Sequence, residues 1–178
     1  MTQGPVPDEP LLEVVREIER HIAVTGWDQP TRLFALVDTG LLLAREPSLA
    51  DQLASSDDLA TVPWTPVEQE RLPPHTDPTQ LLAGIGWPDD VVGAALGLEM
   101  LLLPDDAVVP DDPVAAQQAA AAHPRRREVR IVAACLRNGT HSSVVRWRDH
   151  DHDEEVLQAP RLVGTLIDSL QRTFDAPR

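Results

Sequence analysis

Asp38, in Leu36-Val37-Asp38-Thr39-Gly40, has the setting in which aspartic proteases present a catalytic carboxylate: an apolar strand delivers an Asp to a tight turn. That chemistry needs two carboxylates sharing one proton. The chain has no second Asp-Thr-Gly, so only a dimer would complete the pair. Leu41 stands where such proteases carry a small residue, and no Gly occurs between Gly40 and Gly84 to build a mobile flap. Asp-Thr-Gly between apolar runs is also ordinary turn chemistry. The expectation is a hairpin turn, with Asp38 kept as the one candidate for acid–base catalysis.

Asp149-His150-Asp151-His152-Asp153 is the only cluster of metal-ligand type. In an extended segment His150 and His152 point the same way, with Asp151 between them, as two imidazoles on a zinc or nickel ion require. The segment follows a strand directly and brings no apolar shell to orient its ligands. A solvated acidic turn is therefore expected, and no cofactor.

Arginine supplies the third candidate. Arg125-Arg126-Arg127, Arg130, Arg137, Arg146 and Arg148 crowd into Pro124–Arg148 beside a single acid, and Asp149–Glu155 then holds five acids. Binding of single-stranded nucleic acid needs aromatic rings among the basic residues, and only Trp147 is available. Phosphate contacts would also have to overcome residues 1–122, where 5 Arg against 21 acids give −16. Arg130, Arg146 and Arg148 are instead expected to meet acidic surface, within the chain or on a second copy. The remaining candidates are weaker. His21 lies off the apolar stripe of its helix, His141 falls near a hairpin turn, and Cys135 fits a small buried core position. Gly84-Ile85-Gly86 lacks the third Gly of a dinucleotide site, and Gly-x-Ser-x-Gly, the P-loop and His-Glu-x-x-His are absent.

The composition bounds these possibilities. The 178 residues carry 15 Arg against 29 acids, a net charge of −14, with 42% hydrophobic residues. That is an ordinary globular chain of one domain, and one whose charge opposes polyphosphate and anionic lipid. A single Cys excludes a disulfide framework and suits a reducing compartment. Met1–Glu9 has neither a basic nor an apolar signal region, and no apolar run approaches a membrane span, so a cytoplasmic protein is expected. Lys and Tyr are absent and Asn occurs once, which fits a GC-rich bacterial genome.

The elements that must position these residues follow from spacing. Leu11, Val14, Val15, Ile18 and Ile22 make an amphipathic helix that ends before Gly26. Leu33–Val37 and Leu41–Ala44 read as a hairpin across Asp38-Thr39-Gly40. Pro47–Asp58 suits a short helix, Val62–His75 a Pro-rich loop, and Asp77-Pro78 opens a short helix through Ile85. Val91–Leu103 alternates at period two, with Gly93, Gly97 and Glu99 on the outer face; a long strand is preferred to a buried helix. Pro104–Asp112 is an acidic linker, and Asp112-Pro113 opens an Ala-rich helix that Pro124 stops. Glu128–Arg148 is a hairpin in which a three-residue loop pairs Leu136 with Thr140. That register gathers Val129, Ile131, Ala133, Cys135, Val145 and Trp147 on one face and puts Arg130 and Arg146 on the other. A last helix starts at Pro160. The expectation is one α+β domain over 1–178, with a flexible 1–9, built on an antiparallel sheet of about five strands covered by helices on one face.

His21–Pro47 (His-Ile-Ala-Val-Thr-Gly-Trp-Asp-Gln-Pro-Thr-Arg-Leu-Phe-Ala-Leu-Val-Asp-Thr-Gly, then Leu-Ala-Arg-Glu-Pro), Leu81–Pro104 with Gly86-Trp87-Pro88, and Arg127–Gly139 resemble a family of uncharacterised proteins from high-GC Gram-positive bacteria, the actinobacteria. The resemblance spans most of the chain; it implies a cytoplasmic protein and no activity. The element order, short insertions aside, is α-β-β-β-α-β-β-α. It looks like the small acidic secretion-chaperone fold, in which dimers hold unfolded segments of a partner. The expected function is accordingly a non-enzymatic, chaperone-like protein-binding module, a homodimer with a protein partner. The alternative is an enzyme, acting through an Asp38 dimer or a His150/His152 metal site.

Overall fold

Four chain positions after Trp87 lies the start of the longest strand, and the rest of the fold is arranged around it. A computed structural model describes residues 9–51, 62–70, 72, 77–158 and 163–175. Its helices are α1 (Glu9–Ala23), α2 (Thr39–Arg45), α3 (Pro78–Leu82), α4 (Pro113–Ala122) and α5 (Gly164–Asp175). Its strands are β1 (Arg32–Asp38), β2 (Trp64–Glu68), β3 (Val91–Leu102), β4 (Arg127–Leu136), β5 (His141–Trp147) and β6 (Leu157–Gln158). The strands form one antiparallel sheet in the order β2-β1-β3-β4-β5-β6. The fold is therefore α+β, as the patterning predicts, with six strands among the described residues.

The period-two run is a strand, but both of its faces are covered. On one face Ala94, Leu96 and Leu98 join Ile131, Ala133, Cys135, Val145, Ile167 and Leu170. On the other, Ala95 joins Leu11, Val15, Ile18 and Ile22 of α1 with Val132, Ala134 and Val144. Of the glycines expected to face solvent, Gly97 lies under α1 and Gly93 lies against β4 and Leu36 of β1. A Cβ on Gly97 would lie 2.4 Å from Ile22 Cδ1, and one on Gly93 would lie 2.7 Å from the Cys135 carbonyl oxygen. Missing side chains here allow a close approach of backbone and helix, not a wet face.

Two further expectations are corrected. Asp38-Thr39-Gly40 does not turn a hairpin: Leu41–Ala44 lies in α2. Asp38, extended at φ −62 and ψ 121, caps that helix, and its Oδ1 accepts the Leu41 N–H at 2.9 Å. Leu, Leu, Leu and Ala after a cap are helix formers, with no β-branched residue among them. The hairpin partner of β1 is β2, inside the segment expected to be loop. Pro66 is tolerated because β2 is the outermost strand, where a missing N–H breaks no ladder.

The β4–β5 hairpin has the expected register: Cys135 faces His141, Leu136 N donates to Thr140 O at 2.8 Å, and Gly139 is left-handed at φ 88. Pro47–Leu49 is a 3-10 turn. Most of the helix expected over Pro47–Asp58, the start expected at Pro160, and residues 1–8 lie outside the described residues. No helix among the described residues is long and apolar enough to cross a membrane.

Candidate functional site: a buried arginine pair

Register puts Arg130 of β4 directly opposite Arg146 of β5, on the face beneath α1. Their side chains are 1% and 2% exposed. Two like charges side by side out of water are strongly unfavourable unless each is matched by an acid. The first match comes from α1. Glu19, 1% exposed, accepts Arg146 Nε and Nη2 at 2.7 Å each, and Arg130 Nη1 lies 3.4 Å from the same carboxylate. Glu19 lies in the buried stripe of its helix, at helical spacing from Leu12, Val15 and Ile22. One carboxylate thus fastens α1 to two strands.

The second match comes from β3 and the α1–β1 connection. Glu99 lies opposite Arg130 across β3–β4 and accepts its Nη2 at 3.0 Å. Its other oxygen accepts the backbone N–H groups of Asp28 at 2.7 Å and Gln29 at 3.2 Å. The connection can lie down there because Gly26 and Asp28 adopt left-handed conformations, at φ 81 and φ 64. Asp is among the few side chains that tolerate this. Gly26 O accepts a further bond from Arg130 Nη2. Trp27 stacks on the guanidinium, whose carbon is 4.5 Å from the ring centroid. Among the nitrogens of the Arg130 guanidinium, Nε is buried without a hydrogen-bond partner.

The third match is the acidic turn. Asp151 Oδ1 accepts Arg146 Nη1 at 3.1 Å while Oδ2 accepts Trp27 Nε1 at 2.9 Å, and Asp153 accepts Arg146 Nη2 at 2.6 Å. Burial pushes the Asp151 carboxyl up, but the bonds from Trp27 and Arg146 outweigh it and the net shift is downward. Arg146 is held in its charged form chiefly by Glu19, against the opposing effect of burial. Around this centre, Arg148 grips Asp28 with two bonds of 2.9 Å and reaches Glu128, while Arg127 covers the Trp147 ring and pairs with Asp149 at 2.9 Å. Arg127 lowers the Asp149 pKa, and Arg148 lowers that of Asp28. A groove of about 510 Å³ runs over the site between α1 and the acidic turn, lined by Glu13, Arg16, Arg146, Asp153 and Glu154 among others.

The predicted site residues thus separate into two groups. Arg130, Arg146, Arg148 and Asp151 come together, with Arg130 and Arg146 engaged inside the chain and Arg148 at the rim. Asp38 stands apart as a helix cap. His150 Nδ1 lies 3.5 Å from Glu155 Oε2, and His152 is exposed on the turn. Asp151 is turned away from both toward Arg146 and Trp27, and among the described residues no group of three or more His, Cys, Asp or Glu is placed to hold a metal ion. Burial raises the Cys135 thiol to about 12, which leaves it protonated at neutral pH. Glu19, Glu99, Trp27 and Asp28 were not singled out by motif. The signal for Glu19 was present: a carboxylate within an apolar helical stripe must be paired if the stripe is buried. Chemically, the arrangement fixes three elements through charge-assisted bonds, and arginine offers no titratable proton near neutrality.

Residues 11–175, all but the first ten and last three, match the model of a family described as PPA1309-like protein. No curated protein and no solved structure matches the chain.

Proposed function

The chain belongs to the PPA1309-like family, and from that premise we propose that it is a non-enzymatic cytoplasmic protein-binding module, chaperone-like in mode, that acts as a dimer. The observation that carries this is where the chemistry-bearing side chains are engaged. Glu19, Arg130 and Arg146 are consumed in fastening α1 to the sheet, Asp151 and Asp153 close over them, and Asp38 caps α2. Their bonds rigidify a scaffold. What faces outward is an acidic surface carrying exposed apolar side chains, among them Val108, Val109, Val114 and Leu157. Such a surface suits a protein partner with apolar and cationic residues better than polyphosphate or anionic lipid. Arg148, still 38% exposed, is the member of the arginine trio that a partner would reach.

Aggregation of a chemically unfolded protein diluted into buffer, followed by light scattering, tests the chaperone-like mode. Suppression near equimolar chain supports it. Unchanged scattering at several-fold excess overturns it. Sedimentation of the chain alone tests the dimer.

A further inference from the structure

We propose that α4 is the self-association element of this chain, pairing antiparallel with α4 of a second copy about a two-fold axis near Gln118. The proposal rests on the dimeric function above and names the surface responsible. None of the residues of α4 is buried. Ala115, Ala116, Ala119 and Ala120 are half-covered, while Val114, Gln117, Gln118, Ala121 and Ala122 are exposed. The exposed set recurs at i, i+3, i+4, i+7 and i+8, so it is one continuous face. That face carries no charge, and Val114 on it is 64% exposed. A ten-residue helix is marginal in water without packing, even when rich in Ala.

Charge chooses the occupant. Asp111 and Asp112 precede the helix, and Arg125 and Arg126 follow it. Asp112 is engaged as the cap, and Arg125 pairs with Asp106 at 2.7 Å. Asp111 has no partner among the described residues, and the Arg126 guanidinium has only the His123 carbonyl at 3.5 Å. The two unengaged charges are of opposite sign at opposite ends of one uncharged face. Reversal of the helix superposes acid on base, so the pattern complements itself, as an isologous interface requires. Antiparallel pairing sets Val114 against Ala122 of the second copy, Gln118 against its mate, and Asp111 beside the second copy's Arg125 and Arg126. Small side chains let the axes approach to about 8 Å, and the two helix dipoles oppose favourably. Val108, 93% exposed, and Val109 precede the helix and extend the apolar area. One helix pair is a small interface, so a dissociation constant of roughly 1–100 µM is expected.

Sedimentation equilibrium of the full chain, with circular dichroism to verify folding, tests the proposal. The unaltered chain is expected to dimerise. Gln118→Glu with Ala121→Glu places like charges across the axis and should raise the dissociation constant about tenfold or more. Asp111→Arg and Arg126→Asp should each weaken the dimer, and the two combined should restore it. A chain that is monomeric at about 1 mM, roughly tenfold above the upper end of that range, overturns the dimeric function and this interface together. A dimer indifferent to all four substitutions overturns the interface alone. Single charge reversals that weaken the dimer without rescue in combination overturn the antiparallel pairing.

Discussion

Beneath α5, the β4–β5 hairpin presents Val129, Ile131, Ala133, Cys135 and Val145, closed by Ile167 and Leu170. Beneath α1 the same two strands present Val132, Ala134 and Val144 and then, at the open end of the hairpin, Arg130 against Arg146. Burial of the apolar face is non-directional, so each side chain contributes in rough proportion to its area. The ionic end behaves differently. Every group there is tolerable only while its partners stay in place, and loss of one strands the others in a dry environment. Both faces hold a helix to a sheet, and they should fail in different ways.

Glu19→Ala should show the difference most strongly. It leaves two guanidiniums buried side by side and should lower stability by about 3–5 kcal/mol in chemical denaturation. Replacing Glu19, Arg130 and Arg146 together by Leu, Met and Leu should recover most of that loss; no recovery would contradict an ionic origin. Leu170→Ala, on the apolar face, should cost about 2–4 kcal/mol, insensitive to salt and to pH near neutrality. Next comes Gly97→Ala, at about 1–3 kcal/mol, because the added Cβ meets only the end of the Ile22 side chain, which can shift. Gly93→Ala should cost more than Gly97→Ala, since its obstacle is a backbone carbonyl. If the order is reversed, the Ile22 side chain over Gly97 yields less than the backbone beside Gly93.

Asp38→Ala should cost about 1 kcal/mol, the worth of a helix cap. A larger loss, or loss of a hydrolytic activity, would return Asp38 to the catalytic candidates. Smallest of all should be Asp151→Asn. The folded-state pKa of Asp151 is lowered, so its contribution is complete above the unfolded value of about 3.9 and is lost as pH falls through the folded value. The substitution should therefore flatten the stability profile below about pH 4. Because Asp151 is half exposed, the effect should stay under about 1 kcal/mol.

Legibility in the sequence followed the range of the interactions. The β3 run, the Asp77-Pro78 and Asp112-Pro113 helix starts and the β4–β5 register were readable because each is a local pattern. The register also placed Arg130 and Arg146 on a common face, opposite the apolar set. Spacing alone does not separate a hairpin over Leu33–Ala44 from the strand and capped helix found there, because the same Asp-Thr-Gly suits a turn and a helix cap. Leu41–Ala44 has no distant sequence partner that would reveal which. Strand β2 was hidden because Pro66 is compatible with an edge strand only, and nothing local marks an edge. The glycines of β3 pattern as a solvent face because small residues are silent about what lies over them.

The charge pattern, −16 over residues 1–122 and an Arg-rich hairpin after it, is a property of composition and implies that the two meet. Sequence also determined the α+β class, because hydrophobic periodicity and helix starts are properties of neighbouring residues. Only the tertiary structure decided that the acid for the arginine pair is Glu19 of α1, 111 and 127 positions away, with Glu99, Asp151 and Asp153 completing it. Local spacing cannot select among carboxylates. That choice is made when α1 docks over Gly97 of β3 and brings one of its carboxylates over two guanidiniums.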